Sequence, residues 1–282
     1  MNTEKTPFFS LVVATVGRTT ELEKFLESLK VQTFKSFEVI IVDQNPAGTL
    51  EPLLSRFADH IRLSHTYSPL GLSRARNRGL KLVSGKYVGF PDDDCWYETN
   101  TLATASSELS GNPSVIGISG MVLDEKGHKV MGRWPDAAQE IKKENVFKTA
   151  ISFSFFVKAE VAAAINGFDE ELGLGSGTPW GSAEETDFLV RAIQHGAMWY
   201  FPELIFRHPK KLDNPDLLLK RSYSYGAGFG KVLQKNKFPL RVVAVYLSRP
   251  LAGCLLKFIQ LDFLTSRFYF STFRGRLSGW MR

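Results

Sequence analysis

Two cysteines, Cys95 and Cys254, are all that this 282-residue chain carries. They form no motif, which leaves no disulfide framework to read and points to a reducing compartment. Long apolar runs are missing as well. The opening MNTEKTPFF has no basic stretch followed by an apolar run, so no secretory leader is expected. Leu240 to Phe270 is rich in Leu, Val and Phe, yet Arg249-Pro250, Lys257 and Asp262 interrupt it. No stretch reaches the roughly 20 uninterrupted apolar residues that a membrane span needs. There are no internal repeats and no low-complexity segment. Acidic residues are scarce in one region only. Arg207 to Arg282 holds 15 Lys+Arg against 3 Asp+Glu, a net of +12, so the remainder holds 20 basic and 26 acidic residues, a net of −6. The overall +6 therefore hides an acidic body and a basic tail, and the tail should favour an anionic surface.

What is present is an ordinary globular balance, 44% hydrophobic and 23% charged, enough for one large domain or two smaller ones. The pattern alternates strands and helices. Phe8 to Ala14 reads as a buried strand, and Leu22, Phe25, Leu26 and Leu29 recur at helical spacing behind a cap at Thr20. Phe37 to Val42 is a second strand, ending at Asp43, which makes a right-handed βαβ unit. Ile61 to Tyr67 is a third. Gly71 to Val83 is a helix in which Arg74, Arg76 and Arg78 cannot share one face, so at least one faces water. Ser114 to Val122, Ile151 to Val157 and Ala197 to Phe201 complete the strands, with a loop or short hairpin between Leu123 and Phe147. A Gly-rich loop over 172–181, expected to be mobile and lid-like, precedes a helix starting at Ser182.

The chain turns on Tyr87 to Trp96, YVGFPDDDCW. A short apolar strand stops at Pro91, and Asp92, Asp93 and Asp94 stand at its carboxyl end, where open α/β sheets place their ligands. Three adjacent anions need an offsetting charge. Two readings stand for them: a solvated turn capping the next helix, or carboxylates that hold a hard divalent cation, with Asp92 and Asp94 pointing the same way in an extended segment.

Five motifs occur in order: Val13-Ala14-Thr15-Val16-Gly17-Arg18, Val42-Asp43-Gln44-Asn45, Gly71 to Gly79, Asp92-Asp93-Asp94 and Glu184-Glu185-Thr186-Asp187. Together, over about Phe8 to Pro209, they resemble the family-two, inverting glycosyltransferases of the GT-A fold. That resemblance implies an α/β fold: a mixed, mainly parallel sheet flanked by helices, forming a catalytic domain over 1–209, with a helical extension over 210–282. It implies a nucleotide-sugar donor, with Thr15, Arg18 and Asp43 at the nucleotide base and Arg76 and Asn77 beside the nucleotide. Helix-to-sheet packing is the other reading for Asn77. It implies a Mn²⁺ or Mg²⁺ cofactor bound by Asp94, with Asp92 on the ribose or a metal-bound water, and Asp93 as the variable middle position. His208 stands where some members add a metal ligand, or is structural. Glu185 occupies the catalytic-base position, where Asp is commoner, with Glu184 as its rival. Ser182 and Glu185 also fit a capping box, which would occupy that carboxylate. Trp180 stacks on an acceptor sugar or packs the lid.

The tail's Gly226-Ala227-Gly228 and Arg274-Gly275-Arg276-Leu277 look like bacterial members that act on lipid-linked or polysaccharide acceptors. The tail itself has two readings: helices lying in an anionic membrane interface, on the cytoplasmic face of the plasma membrane, or a helical subdomain packed on the body. Its apolar content suits a bilayer better than nucleic acid, so no nucleic-acid partner is expected. Two further classes fit the sequence less well. A sugar nucleotidyltransferase would need a Gly-rich phosphate loop with Arg and Lys after the first strand, and Ala14 to Arg18 has one glycine and no lysine. A silent scaffold or carbohydrate-binding protein would not need the intact acidic triplet and Glu pair.

Overall fold

The computed structural model describes residues 6–210 and 215–282. It divides into two compact units. The first holds the described residues of Met1–Leu70, Arg74–Gly167 and Leu189–Lys210. The second holds those of Gly71–Ser73, Phe168–Phe188 and Lys211–Arg282.

The first unit is built on one mixed sheet. Its strands are β1 (Phe9–Thr15), β2 (Phe37–Asp43), β3 (Leu63–Tyr67), β4 (Tyr87–Gly89), β5 (Trp96–Tyr97), β6 (Gly117–Leu123), β7 (Gln139–Glu140), β8 (Phe155–Lys158) and β9 (Met198–Arg207). They run in the order β3-β2-β1-β4-β8-β6-β9-β5, with β7 on β9. The pairs β1–β2, β1–β4, β2–β3 and β6–β9 are parallel. β8 enters antiparallel between β4 and β6. Every residue of β2 is buried, and β1 nearly so, because parallel strands are covered on both faces and read as continuous Val/Ile/Leu runs. After β1 the chain moves outward to β2 and β3, then returns to β4 on the other side of β1. The connections leaving β1 and β4 therefore part company, which opens a crevice at their carboxyl ends.

Helices α1 (Thr19–Lys30), α2 (Glu51–Leu54), α3 (Leu72–Leu80), α4 (Thr101–Gly111), α5 (Val146–Thr149) and α6 (Ala159–Ala164) flank these strands in sequence. α1 buries Leu22, Phe25, Leu26 and Leu29, the stripe that its spacing predicts. The expected cap at Thr20 is not used. Gly17, in the left-handed region at φ +68°, lets the helix begin at Thr19, and Arg18 stands at the N-cap with its side chain directed elsewhere. The strand expected over Ile151 to Val157 is shorter. Ser154 accepts from the Ile151 amide at 3.0 Å, and this local bond turns Ser152–Ser154 into a 3₁₀ helix before β8.

In the second unit, the start of α7 (Glu184–Ala192) and the Gly-rich loop join α8 (Pro215–Lys235), α9 (Leu240–Ile259) and α10 (Phe263–Met281). The loop is tied by Gly173 N to Trp180 O at 2.9 Å and Thr178 Oγ1 to Glu171 O at 2.6 Å. α8 and α10 meet backbone to backbone through two Gly-x-x-x-Gly pairs, Gly226/Gly230 and Gly275/Gly279. A Cβ on Gly279 would lie 2.0 Å from the Ala227 carbonyl oxygen, and one on Gly275 would lie 2.2 Å from that of Tyr223. Close helix crossings of this kind need small residues.

Arg249-Pro250 does not interrupt the tail as the sequence suggests. α9 runs unbroken through Pro250 for 20 residues and, among the described residues, is the one helix long and apolar enough to cross a membrane by length and composition. Pro250 has no N–H for the Tyr246 carbonyl one turn earlier. The Arg276 guanidinium on α10 donates to that carbonyl instead, at 2.5 Å, while stacking on Phe229 at 4.4 Å.

Candidate active site

The acidic turn sits in the crevice beyond β1 and β4. Asp93 and Asp94 occupy a turn rather than an extended segment, with Cys95 N reaching back to Asp92 O at 3.3 Å. Two arginines offset its charges. Arg18 Nη1 reaches Asp93 Oδ1 at 2.8 Å and Asp94 Oδ2 at 2.6 Å. Arg76, on α3 and fully buried, reaches Asp92 Oδ1 at 3.1 Å, while Arg74 and Arg78 face solvent. Ser152, from the 3₁₀ turn, stands 3.4 Å from the same Asp92 oxygen.

Asp93 is the most enclosed of the three. Thr15 Oγ1, at the end of β1, donates to its Oδ2 at 2.8 Å. Burial pushes its carboxyl up to about 6, against the Thr15 hydrogen bond and the Arg18 charge. Burial opposes the charge on Arg18, but Asp93 and Asp94 hold that guanidinium above its ordinary value.

His208 follows β9 and is wholly buried. Its Nδ1 lies 2.8 Å from the Pro209 carbonyl, which can only accept, so Nδ1 carries the hydrogen. Its Nε2 then faces Asp94 Oδ1 at 3.1 Å. A neutral ring would aim a lone pair at a carboxylate there, an arrangement that a proton or a cation between the two relieves. Phe153 stacks on the ring at 4.9 Å and holds its plane. Asp92, Asp94 and His208 each offer one ligand atom, and these atoms lie within 4.8 Å of one another. Two carboxylates and an imidazole whose other nitrogen is tied to a carbonyl make a donor set that fits a divalent cation.

At the end of β2, Asp43 is fully buried. Its Oδ1 accepts from Asn45 N and Nδ2, both at 2.8 Å, and its Oδ2 stands 3.2 Å from His65 Nε2. Asn45 and His65, partly exposed, carry this polar group outward, and Tyr67 lies against His65 at 4.8 Å. Asn77 Oδ1 lies against Gly167, where a Cβ would come within 2.4 Å, so its carboxamide takes part in packing α3.

In the second unit, α7 begins at Glu184, not at Ser182. Ala183 precedes it in the left-handed region at φ +67°, and Ser182 Oγ donates to the Tyr225 carbonyl at 2.7 Å. Ser182 is thus one residue too early to be the N-cap of the expected capping box. Glu184 is buried against Gly173, whereas Glu185 is partly exposed. Trp180 has the Lys231 ammonium over its ring at 4.7 Å.

Thr15, Arg18, Arg76, Asp92, Asp93, Asp94 and His208 are therefore gathered at one turn, with Asp43 at the next strand end. Ser152, Phe153 and His65 join them unforeseen. Nothing in their spacing marks them, since a serine inside an apolar strand pattern and a histidine in a short strand are ordinary.

The fold is the GT-A fold of glycosyltransferases. The glycosyl transferase family 2 model matches residues 10–163, more than half of the chain, and the chain belongs to that family. Glycosyltransferase AglE of Haloferax volcanii is 24% identical over 267 residues, 90% of this chain and 84% of the relative. The GalNAc(5)-diNAcBac-PP-undecaprenol beta-1,3-glucosyltransferase of Campylobacter jejuni is 28% identical over 184 residues, 62% of this chain. The chain covers 59% of that relative and 13% of glycosyltransferase GlyA of Streptococcus pneumoniae. Among solved structures, Staphylococcus aureus TarS 1-349 in complex with UDP-GlcNAc superposes with a TM-score of 0.62 at 17% identity, covering 94% of this chain and 91% of that one. Mannosyltransferase PcManGT of Pyrobaculum calidifontis, in complex with GDP-Man and Mn²⁺, superposes with a TM-score of 0.63 at 16% identity, covering 97% of this chain and 88% of that one.

Proposed function

We propose that this chain is a cation-dependent, inverting glycosyltransferase that passes one sugar from a nucleotide-diphosphate donor to a hydroxyl of a lipid-linked or polysaccharide acceptor. The observation that carries the reading is the Asp92–Asp94–His208 cluster at the crevice between β1 and β4. Residues 1–209 supply the donor site and 210–282 the extension. Asp94, Asp92 and His208 hold the cation, and the imidazole among them favours Mn²⁺ over Mg²⁺, which prefers an all-oxygen shell. The cation, when bound, stabilises negative charge on the departing diphosphate. Arg18 stands at the nucleotide base and Arg76 beside the nucleotide. Asp93 anchors Thr15 and Arg18. Asp43, through Asn45 and His65, faces the nucleobase.

In the transfer the acceptor oxygen bonds to the anomeric carbon, and the bond from that carbon to the diphosphate oxygen breaks. The diphosphate leaves with the electron pair, and the hydroxyl proton goes to Glu185. Partial exposure favours Glu185 over the buried Glu184. Attack opposite the leaving group inverts the anomeric centre.

The tail supports a peripheral seat on an anionic bilayer at the cytoplasmic face. Around the α9–α10 turn, Leu255, Leu256, Phe258, Ile259, Leu261 and Phe263 are 53–77% exposed, on a segment with a net charge of +12. Apolar anchors within a basic segment match that surface in both hydrophobicity and charge. The lipid-linked acceptor named for the Campylobacter relative is consistent with it.

The test is release of nucleoside diphosphate from UDP-glucose, UDP-GlcNAc and GDP-mannose, with Mn²⁺ or with EDTA, in wild type, Asp94→Ala and Glu185→Gln. Metal-dependent release lost in both variants supports the assignment. Release that survives Glu185→Gln moves the base elsewhere. No turnover and no nucleotide binding would leave a scaffold or carbohydrate-binding protein.

A further inference from the structure

The first turn of α7 carries Glu184, Glu185 and Asp187, three carboxylates within four residues. Helix dipoles favour one or two anions at such an end, but a fully buried carboxylate needs a direct partner. Asp187 is fully buried, and its partners come from the last turn and C-terminal end of α8. Lys235 Nζ stands 2.9 Å from Asp187 Oδ1 and 2.6 Å from Asp169 Oδ2, and Asn236 Nδ2 donates to Asp187 Oδ1 at 2.9 Å.

The same helix holds the residues just before α7. Gly181 N donates to Ser224 O at 3.0 Å, and Ser182 Oγ donates to Tyr225 O at 2.7 Å. A Cβ on Gly228 would stand 2.4 Å from the Ser182 carbonyl oxygen, so only glycine admits that approach. α8 thus grips the segment before Glu184 from one side of its sequence and Asp187 from the other. Glu184 and Glu185 lie between the two grips.

We infer that α8 is the platform that aims Glu185, with Lys235 as its positioning residue and Asn236 as the second tie. This rests on Glu185 being the proton acceptor. Lys235 touches no reacting atom. It fixes Asp187, and through the helical turn it fixes the direction of the carboxylate two residues earlier. A side chain needs to be held to within about half an ångström to serve as a base, so a loosened turn lowers the rate of the chemical step more than it weakens donor binding.

The experiment measures kcat and KM for donor hydrolysis, with Mn²⁺, in wild type, Lys235→Met, Lys235→Arg, Asn236→Ala and Glu185→Gln, using whichever of the three nucleotide sugars is turned over. Thermal unfolding of each variant is followed alongside. Lys235→Met is expected to lower kcat about tenfold with KM for the donor within twofold of wild type, and Lys235→Arg to restore at least a third of kcat. Asn236→Ala is expected to lower kcat about threefold, and it carries the test if Lys235→Met does not fold. A lower melting temperature with unchanged kcat, or equal changes in kcat and KM with no rescue by arginine, would overturn the inference and leave Lys235 a stabilising ion pair. Glu185→Gln judges the base separately. If it is inactive, the Lys235 and Asn236 variants decide the positioning. If it is fully active, or if wild type turns over no donor, the base assignment and this inference fall together.

Discussion

Replacing Arg276 with methionine removes the group that lets α9 pass through Pro250. The guanidinium donates to the Tyr246 carbonyl at 2.5 Å, towards which Pro250 has no N–H to offer, and stacks on Phe229 at 4.4 Å. Burial lowers its pKa to about 10, so it remains charged at neutral pH. A hydrogen bond from a charged donor contributes about 1.5–3 kcal/mol, and a cation over an aromatic face adds about 0.5–2 kcal/mol. Methionine keeps much of the apolar stem and loses both, so the expected loss is about 3 kcal/mol. A second background separates the two contributions. Pro250→Ala supplies the missing N–H to Tyr246, so Arg276→Met should cost about 1–2 kcal/mol less there, with the cation–aromatic share remaining. Urea unfolding of wild type, both single variants and the double variant gives the coupling directly. An Arg276→Met cost that is the same in both backgrounds would refute the shared-carbonyl account.

Gly279→Ala should cost about 1–3 kcal/mol, because its methyl would stand 2.0 Å from the Ala227 carbonyl oxygen and the two helices must part. Gly111→Ala, with nothing within 4 Å, is the neutral control in the same unfolding assay. In cation-free protein, stability should fall with rising pH. The folded Asp93 carboxyl sits at about 6 against the ordinary 3.8, so its contribution is complete below about pH 4 and is lost as pH rises through 6. About two pH units correspond to about 3 kcal/mol as an upper bound, and Asp93→Asn should flatten that slope in urea titrations at pH 4 to 7. Phe258→Asp with Ile259→Asp should lower co-sedimentation with phosphatidylglycerol vesicles at least tenfold and leave nucleoside diphosphate release unchanged.

Much of this architecture was legible in the residues. The runs over β1 and β2 are apolar because parallel strands are covered on both faces. The acidic turn announces itself, since Pro91 ends a strand just before three carboxylates. Helical spacing implied that Arg74, Arg76 and Arg78 could not all face inward, and Arg74 and Arg78 do face solvent. What was missed depends on partners distant in sequence or on local hydroxyl bonds. Ser154 competes with the ladder and shortens β8. The helix starts one residue before the expected cap at Thr20, and the Arg18 guanidinium, which can only donate, turns to Asp93 and Asp94 some 75 residues away. Pro250 reads as a break because Arg276, which repairs it, lies on the next helix. The tie from Lys235 to Asp187 crosses 48 positions, and neither residue's neighbours in sequence hint at it.

The central claim is that the turn holding Asp92, Asp94 and His208 binds a nucleotide diphosphate through a divalent cation. Calorimetric titration of UDP and GDP into the protein, with Mn²⁺ and with EDTA, tests it most directly, in wild type and in Asp94→Ala. The account predicts binding of at least one nucleotide that requires Mn²⁺ and disappears in Asp94→Ala. Binding indifferent both to the cation and to Asp94, or no binding of either nucleotide, would contradict it.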